Sequence, residues 1–201
     1  RELGLQLDSL ADMVTSGLVP GIVMVQLLNN ALVSKDGFYG SWDVENHIFE
    51  YPMLSFIGLA ITLASCYRLA NFNVDDRQTD SFIGLPTPAN ALLVLSLPLI
   101  LEYQPVEIFV ELFTNMWFLF AFTVLSCFLL NANLELFALK FKNFKLDGNK
   151  TRFGFLLLCI LLIVFLKFIA IPIIMLSYIL ISFFSPNGGV LFLDASFILG
   201  N

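Results

Sequence analysis

Apolar runs long enough to cross a lipid bilayer, separated by short polar loops, leave this chain few ways to fold. A span needs about 20 apolar residues, because a helix rises about 1.5 Å per residue across about 30 Å of hydrocarbon. The pattern predicts spans over residues 8–33, 51–73, 87–101 and 108–131. A further stretch, Phe153 to Phe184, is apolar apart from Lys167 and a few small polar residues. As one helix it would run to about 48 Å, too long for one upright span. A hairpin turning between Lys167 and Pro172 is therefore expected, since proline is tolerated at the start of a second helix. A single strongly tilted helix is the alternative. Lipid offers no partner for a free backbone N–H or C=O, so the expected fold class is all-α, a polytopic transmembrane helical bundle of about six spans.

Composition excludes a soluble domain: 58% of residues are hydrophobic, only 13% are charged, and mean hydropathy is +0.86. The formal charge of −6 says little about partners, because the charges fall in loops on opposite sides of the membrane, and no nucleic-acid partner is expected. Their distribution says more. With the Asp8 end cytoplasmic, Arg1, Arg68, Arg77, Lys140, Lys142, Lys145, Lys150 and Arg152 lie inside and only Lys35 and Lys167 outside, as the positive-inside rule asks. Residues 1–185 read as one membrane domain. Residues 186–201 read as a tail opening on the turn signal Pro186-Asn187-Gly188-Gly189, with no assigned function. Arg1 stands where a methionine would open a complete chain, and no signal-peptide pattern follows, so a fragment is expected.

Cys66, Cys127 and Cys159 sit in apolar runs without metal-ligand spacing, and read as small hydrophobes. His47 is alone in an acidic loop with Asp36, Asp43, Glu45 and Glu50, and carries no catalytic assignment. The chemistry lies elsewhere. Asp8 and Asp12 stand four residues apart at the mouth of the first span, hence on one helical face, where they can share one cation. An aspartate at membrane depth costs roughly 2.5–3.5 kcal/mol on insertion scales, so such a pair points to function. Gly4, one turn earlier, leaves room for a ligand or a helix. Antiparallel spans bring two further polar groups to the same level: Arg68, Asn71 and Asn73 at the end of the second span, and Thr87, Pro88 and Asn90 at the start of the third. Thr87 is expected to cap that helix with Pro88 at its first position, leaving N–H groups open to an anion. Carboxylates, a guanidinium and an open helix start suit phosphoryl transfer, with Mg²⁺ or Mn²⁺ neutralising phosphate charge.

Gly4-x-x-x-Asp8-x-x-x-Asp12 resembles the second half of the CDP-alcohol phosphatidyltransferase signature, D-x-x-D-G-x-x-A-R followed after about eight residues by G-x-x-x-D-x-x-x-D. The wording Leu7-Asp8-Ser9-Leu10-Ala11-Asp12-Met13-Val14 looks like that family's phosphatidylserine synthase branch. So do Tyr67-Arg68-Leu69-Ala70-Asn71-Phe72-Asn73 and Phe82-Ile83-Gly84-Leu85-Pro86-Thr87-Pro88-Ala89-Asn90-Ala91, and the likeness covers about residues 1–185. The resemblance implies transfer of a phosphatidyl group from CDP-diacylglycerol to the hydroxyl of L-serine, with release of CMP. It implies Asp8 and Asp12 as metal ligands and Asp12 as general base. Gly4, Arg68, Asn71, Thr87 and Asn90 would contact substrate, Arg68 holding a lipid phosphate or the serine carboxylate. It also implies about eight spans in a full chain, a homodimer in the cell membrane, and a cytoplasmic active site. The family's first two aspartates, its glycine and its A-R pair would lie upstream of Arg1, so residues 1–201 alone are expected to be catalytically silent.

Each feature also has a plainer reading. The aspartates suit a solvated first turn that favours the helix dipole, Arg68 suits a snorkelling residue, and the Thr87 segment suits an ordinary helix start. The basic segment 140–152 reads as a topology signal and an anionic-lipid contact. Inositol and glycerol 3-phosphate are rival acceptors. From other classes, an ion-coupled secondary transporter would place carboxylates near the bilayer midplane and show repeated broken helices, neither of which the sequence displays. A non-catalytic scaffold is the remaining rival.

Overall fold

The computed structural model describes residues 2–33, 52–74, 82–132, 135–136 and 150–184. The acidic loop with His47, the polar run 75–81, most of the basic segment and the tail lie outside the described residues.

The first helix runs as α1 (Glu2–Asp12), a π-helical turn (Met13–Leu18) and α2 (Val19–Val33). The sequence suggests a kink from Gly17, Pro20 and Gly21, and the chain answers with this widened turn. Pro20 has no N–H and its ring crowds the carbonyl four residues earlier, so the ladder changes register just before it. A second helix, opening as 3₁₀ (Met53–Leu59) and continuing as α3 (Ala60–Val74), packs antiparallel against the first. Glycines set how closely. A Cβ on Gly21 would stand 2.0 Å from Thr62 Oγ1, one on Gly58 2.6 Å from the backbone N of Val25, and one on Gly17 3.2 Å from Ser65 Cβ. The Thr62 hydroxyl donates to the Gly17 carbonyl at 3.1 Å. Lipid tails give helices no hydrophobic reason to associate, so small residues and such hydrogen bonds take over that task.

The third helix, α4 (Thr87–Tyr103), follows β1 (Phe82–Ile83), which pairs antiparallel with β2 (Glu135–Leu136). Gly84 links them with φ +75°, and a Cβ there would lie 2.7 Å from the Leu130 carbonyl, so only glycine fits. The expected cap is corrected here. Pro86, not Thr87, occupies the N-cap position, and its carbonyl accepts the Asn90 N–H at 3.0 Å. Thr87 is the first helical residue, with its side chain buried rather than turned back to cap. Pro98 sits inside α4, whose core face carries Val94, Leu97 and Ile100 against Met24, Leu28 and Ile61.

The span expected over 108–131 is two helices. α5 (Glu107–Phe113) and α6 (Met116–Asn131) meet at 72°. Asn115 makes the break, because its side-chain oxygen caps α6 by accepting from the N–H groups of Trp117 (2.9 Å) and Phe118 (3.3 Å).

The last apolar stretch forms α7 (Lys150–Leu166), a 3₁₀ turn (Lys167–Ile169) and α8 (Ala170–Phe184). It doubles back. The rings of Phe155 and Tyr178 lie 5.9 Å apart, whereas an unbroken helix would separate them by about 35 Å. Lys167 turns the corner with φ +50°, and Gln104 holds it, its side-chain oxygen accepting from the N–H groups of Phe168 (2.8 Å) and Ile169 (3.3 Å). The hairpin expectation thus fits, with the turn at Leu166–Ile169 ahead of Pro172. By length and composition, three helical runs among the described residues are apolar enough to cross a membrane: Gln6–Val33, Met53–Asn73 and, counted end to end through its corner, Gly154–Ser182. The bent pair of α5 and α6 would make a fourth.

Candidate functional site

Asp8 is exposed and Asp12 half-buried on one face of α1. Ser9 turns toward α3, where its hydroxyl and the Asn73 carboxamide bond each other, Oγ to Oδ1 at 3.1 Å and Nδ2 to Oγ at 3.0 Å. This contact between residues 64 apart in sequence brings the end of α3 to the acidic pair.

Arg68 is 8% exposed. Its Nε is buried without a hydrogen-bond partner, and among the described residues no carboxylate pairs with it. Five residues before Asn73, it lies about 140° around α3, on the side of Ala64 rather than of Ser9. The Ala64 carbonyl accepts from Asn131 of α6 at 3.3 Å, so this face looks toward α6. Ser65, one turn earlier, has a fully buried hydroxyl that also lacks a partner. Asn71 is exposed.

Thr87 and Asn90 are both buried at the start of α4. The Asn90 carboxamide oxygen accepts from the Ser126 hydroxyl of α6, while its Nδ2 is buried and unpartnered. The Asn90 side chain thus ties α4 to α6, and Thr87 is buried beside it at the same helix start. Pro88, now the second helical residue, still removes one of the first N–H groups at this helix start. Gly4 is exposed, and a Cβ there would meet nothing within 4 Å, so no neighbouring helix among the described residues requires its small size.

The three polar groups therefore share one end of the molecule, but only the first two touch, through Ser9 and Asn73. No hydrogen bond or ion pair joins Asp8 or Asp12 to Arg68, Thr87 or Asn90. Among the described residues no group of three or more His, Cys, Asp or Glu side chains could hold a metal ion. Two carboxylates one turn apart fit a different kind of site. Mg²⁺ keeps several waters and is held by one or two carboxylates plus substrate phosphates. The pair suits that shared arrangement and not a closed protein cage. Sequence reasoning missed Ser65, whose spacing of three from Arg68 signals a common face, and it missed Ser126, which nothing local marks. Comparison with known protein families, characterised proteins and solved structures finds no match to this chain.

Proposed function

We propose that this chain is the membrane domain of a CDP-alcohol phosphatidyltransferase of the phosphatidylserine synthase branch, acting on CDP-diacylglycerol and L-serine. The observation that carries the reading is the acidic pair beside Asn73, at the same end of the molecule as Arg68, which is buried, has no hydrogen-bond partner for its Nε, and is paired by no carboxylate among the described residues. A guanidinium desolvated without a counter-charge is costly unless a ligand supplies the anion. In the reaction, the serine Oγ attacks the phosphorus that carries diacylglycerol. The new Oγ–P bond forms as the pyrophosphate P–O bond breaks, CMP leaves with that electron pair, and the Asp12 carboxylate takes the serine proton. Asp8 and Asp12 would hold Mg²⁺ or Mn²⁺, which when bound neutralises the pyrophosphate. Arg68 would grip a phosphate or the serine carboxylate.

The same reading includes six spans in residues 1–184, formed by α1 with α2, by α3, by α4, by α6, and by α7 and α8. It puts the Asp8 end in the cytoplasm of a multi-pass cell-membrane protein, on the eight-to-two split of basic residues. Purified full-length protein tests it. CMP release from CDP-diacylglycerol should depend on serine, and inositol or glycerol 3-phosphate should not replace it. Asp12→Asn should cut turnover at least about 10²-fold, the usual range for losing a general base. Asp8→Asn should regain part of its loss at raised Mn²⁺. Wild-type turnover in Asp12→Asn would remove the base assignment, and inositol-dependent release would move the protein to another branch.

A further inference from the structure

We propose that α5 lies in the plane of the membrane surface, at the end of the molecule away from the acidic pair. There it is an interfacial helix that sets Ile108 and Leu112 into the boundary between lipid headgroups and acyl chains and keeps Glu107 and Glu111 in water. The inference rests on α6 crossing the membrane and is independent of the reaction proposed above.

The seven residues of α5 carry three stripes. Residues four apart share a line along a helix, and each step along the chain turns about 100°. Phe109 and Phe113 form the core stripe: their rings stack at 5.7 Å, and Phe113 reaches on to Phe118 of α6, also at 5.7 Å. One step around lie Ile108 and Leu112, apolar yet 67% and 39% exposed. A step further lie Glu107 and Glu111, both exposed. Water on all sides would leave the Ile108–Leu112 stripe uncovered, whereas hydrocarbon on all sides would hold two carboxylates at a depth where charge is costly. A membrane interface suits both stripes at once, since an interfacial helix buries one apolar face and keeps a charged one wet.

The bend supplies the orientation. α5 meets α6 at 72°, so beneath an upright α6 it tilts only about 20° out of the membrane plane. Its roughly 10 Å of length then adds only about 3 Å to the crossing. Neighbouring side chains mark the depth independently. Trp117 in the first turn of α6 and Tyr103 at the end of α4 are 71% and 66% exposed, as aromatic residues at headgroup level are. Lys167 is exposed at the hairpin corner beside them, where Tyr103 meets Phe168. A lysine there can reach the same aqueous layer.

The test is spin labelling of the full-length protein in phospholipid vesicles, in a cysteine-free background, with Glu107→Cys, Ile108→Cys, Glu111→Cys and Leu112→Cys labelled one at a time. Collisions of each label with oxygen, which concentrates in hydrocarbon, are compared with collisions with a water-soluble nickel chelate. The oxygen-to-nickel ratio should be severalfold higher for Ile108→Cys and Leu112→Cys than for Glu107→Cys and Glu111→Cys. High ratios at all four positions would sink α5 into hydrocarbon as the first part of a broken span, and low ratios at all four would lift it clear of the lipid. Either result overturns the proposal. So would labels at Ile108→Cys and Leu112→Cys that neither reagent reaches, the mark of protein covering the apolar stripe. None of these outcomes bears on the reaction assignment, which CMP release decides separately.

Discussion

Gln104 caps the hairpin from outside it: its Oε1 accepts the Phe168 N–H at 2.8 Å across 64 residues of sequence. The ring of Tyr103 lies beside that of Phe168 at 5.4 Å, so the C-terminal end of α4 clamps the corner where Lys167 holds a left-handed backbone. Gln104→Leu keeps the bulk and removes the acceptor, leaving two N–H groups short of a partner at about 1–3 kcal/mol each. Thermal unfolding in detergent should show a lowered midpoint, and Gln104→Glu, which keeps an acceptor, should recover most of it. Equal midpoints for wild type and Gln104→Leu would show that the corner holds itself.

The close contact of the first two long helices gives a second test. Gly21→Val should destabilise severely, because even a Cβ would stand 2.0 Å from Thr62 Oγ1 and the branched side chain cannot retreat. Gly4→Ala should fold as wild type, since nothing lies within 4 Å of the added methyl. Folded yield after mild detergent extraction separates the two. If Gly4→Ala folds normally yet loses activity, the space at Gly4 belongs to substrate.

Arg68→Lys should not behave as a conservative change. A planar guanidinium holds a carboxylate or phosphate in two places, and an ammonium cannot. Serine KM should rise with little change for CDP-diacylglycerol if Arg68 holds the amino acid. A rise in the lipid KM assigns Arg68 to the phosphate instead, and unchanged kinetics return it to snorkelling.

Topology can be read by labelling whole cells in a cysteine-free background. Leu3→Cys is exposed near the Asp8 end, and Glu107→Cys is exposed at the end where α4 meets the hairpin corner. A membrane-impermeant thiol reagent should reach Glu107→Cys at once and Leu3→Cys only after permeabilisation. The reverse pattern would put the acidic pair on the wrong face for a cytoplasmic nucleotide.

Much of the helical plan is legible in the sequence because long apolar runs between polar loops mark long apolar helices, and the 28-residue run Gln6–Val33 and the 21-residue run Met53–Asn73 fall where the pattern puts them. Local chemistry decides what hydropathy cannot see. Asn115 breaks an apolar run by offering one side-chain oxygen to two N–H groups, and the run's composition hides that choice. Pro86 takes the cap from Thr87 because its fixed φ of −56°, with ψ at 136°, already suits a residue just outside a helix. The candidate site divides along the same line. Asp8 and Asp12 follow from helical spacing alone. The pairing of Ser9 with Asn73, and of Asn90 with Ser126, depends on which helix neighbours which, and for the first pair that is set by Gly17, Gly21 and Gly58 at the helix interface.

The widened turn at Met13–Leu18 separates two jobs that one rigid helix would have to share. Closing its hydrogen-bonded ring one residue later offsets the helix before it by about 100° from the helix after it. The face of α2 that packs on α4 and the face of α1 that bears the carboxylates are therefore tuned independently. A lineage could re-aim Asp8 and Asp12 by gaining or losing that single extra residue, and the packed interior would not have to change.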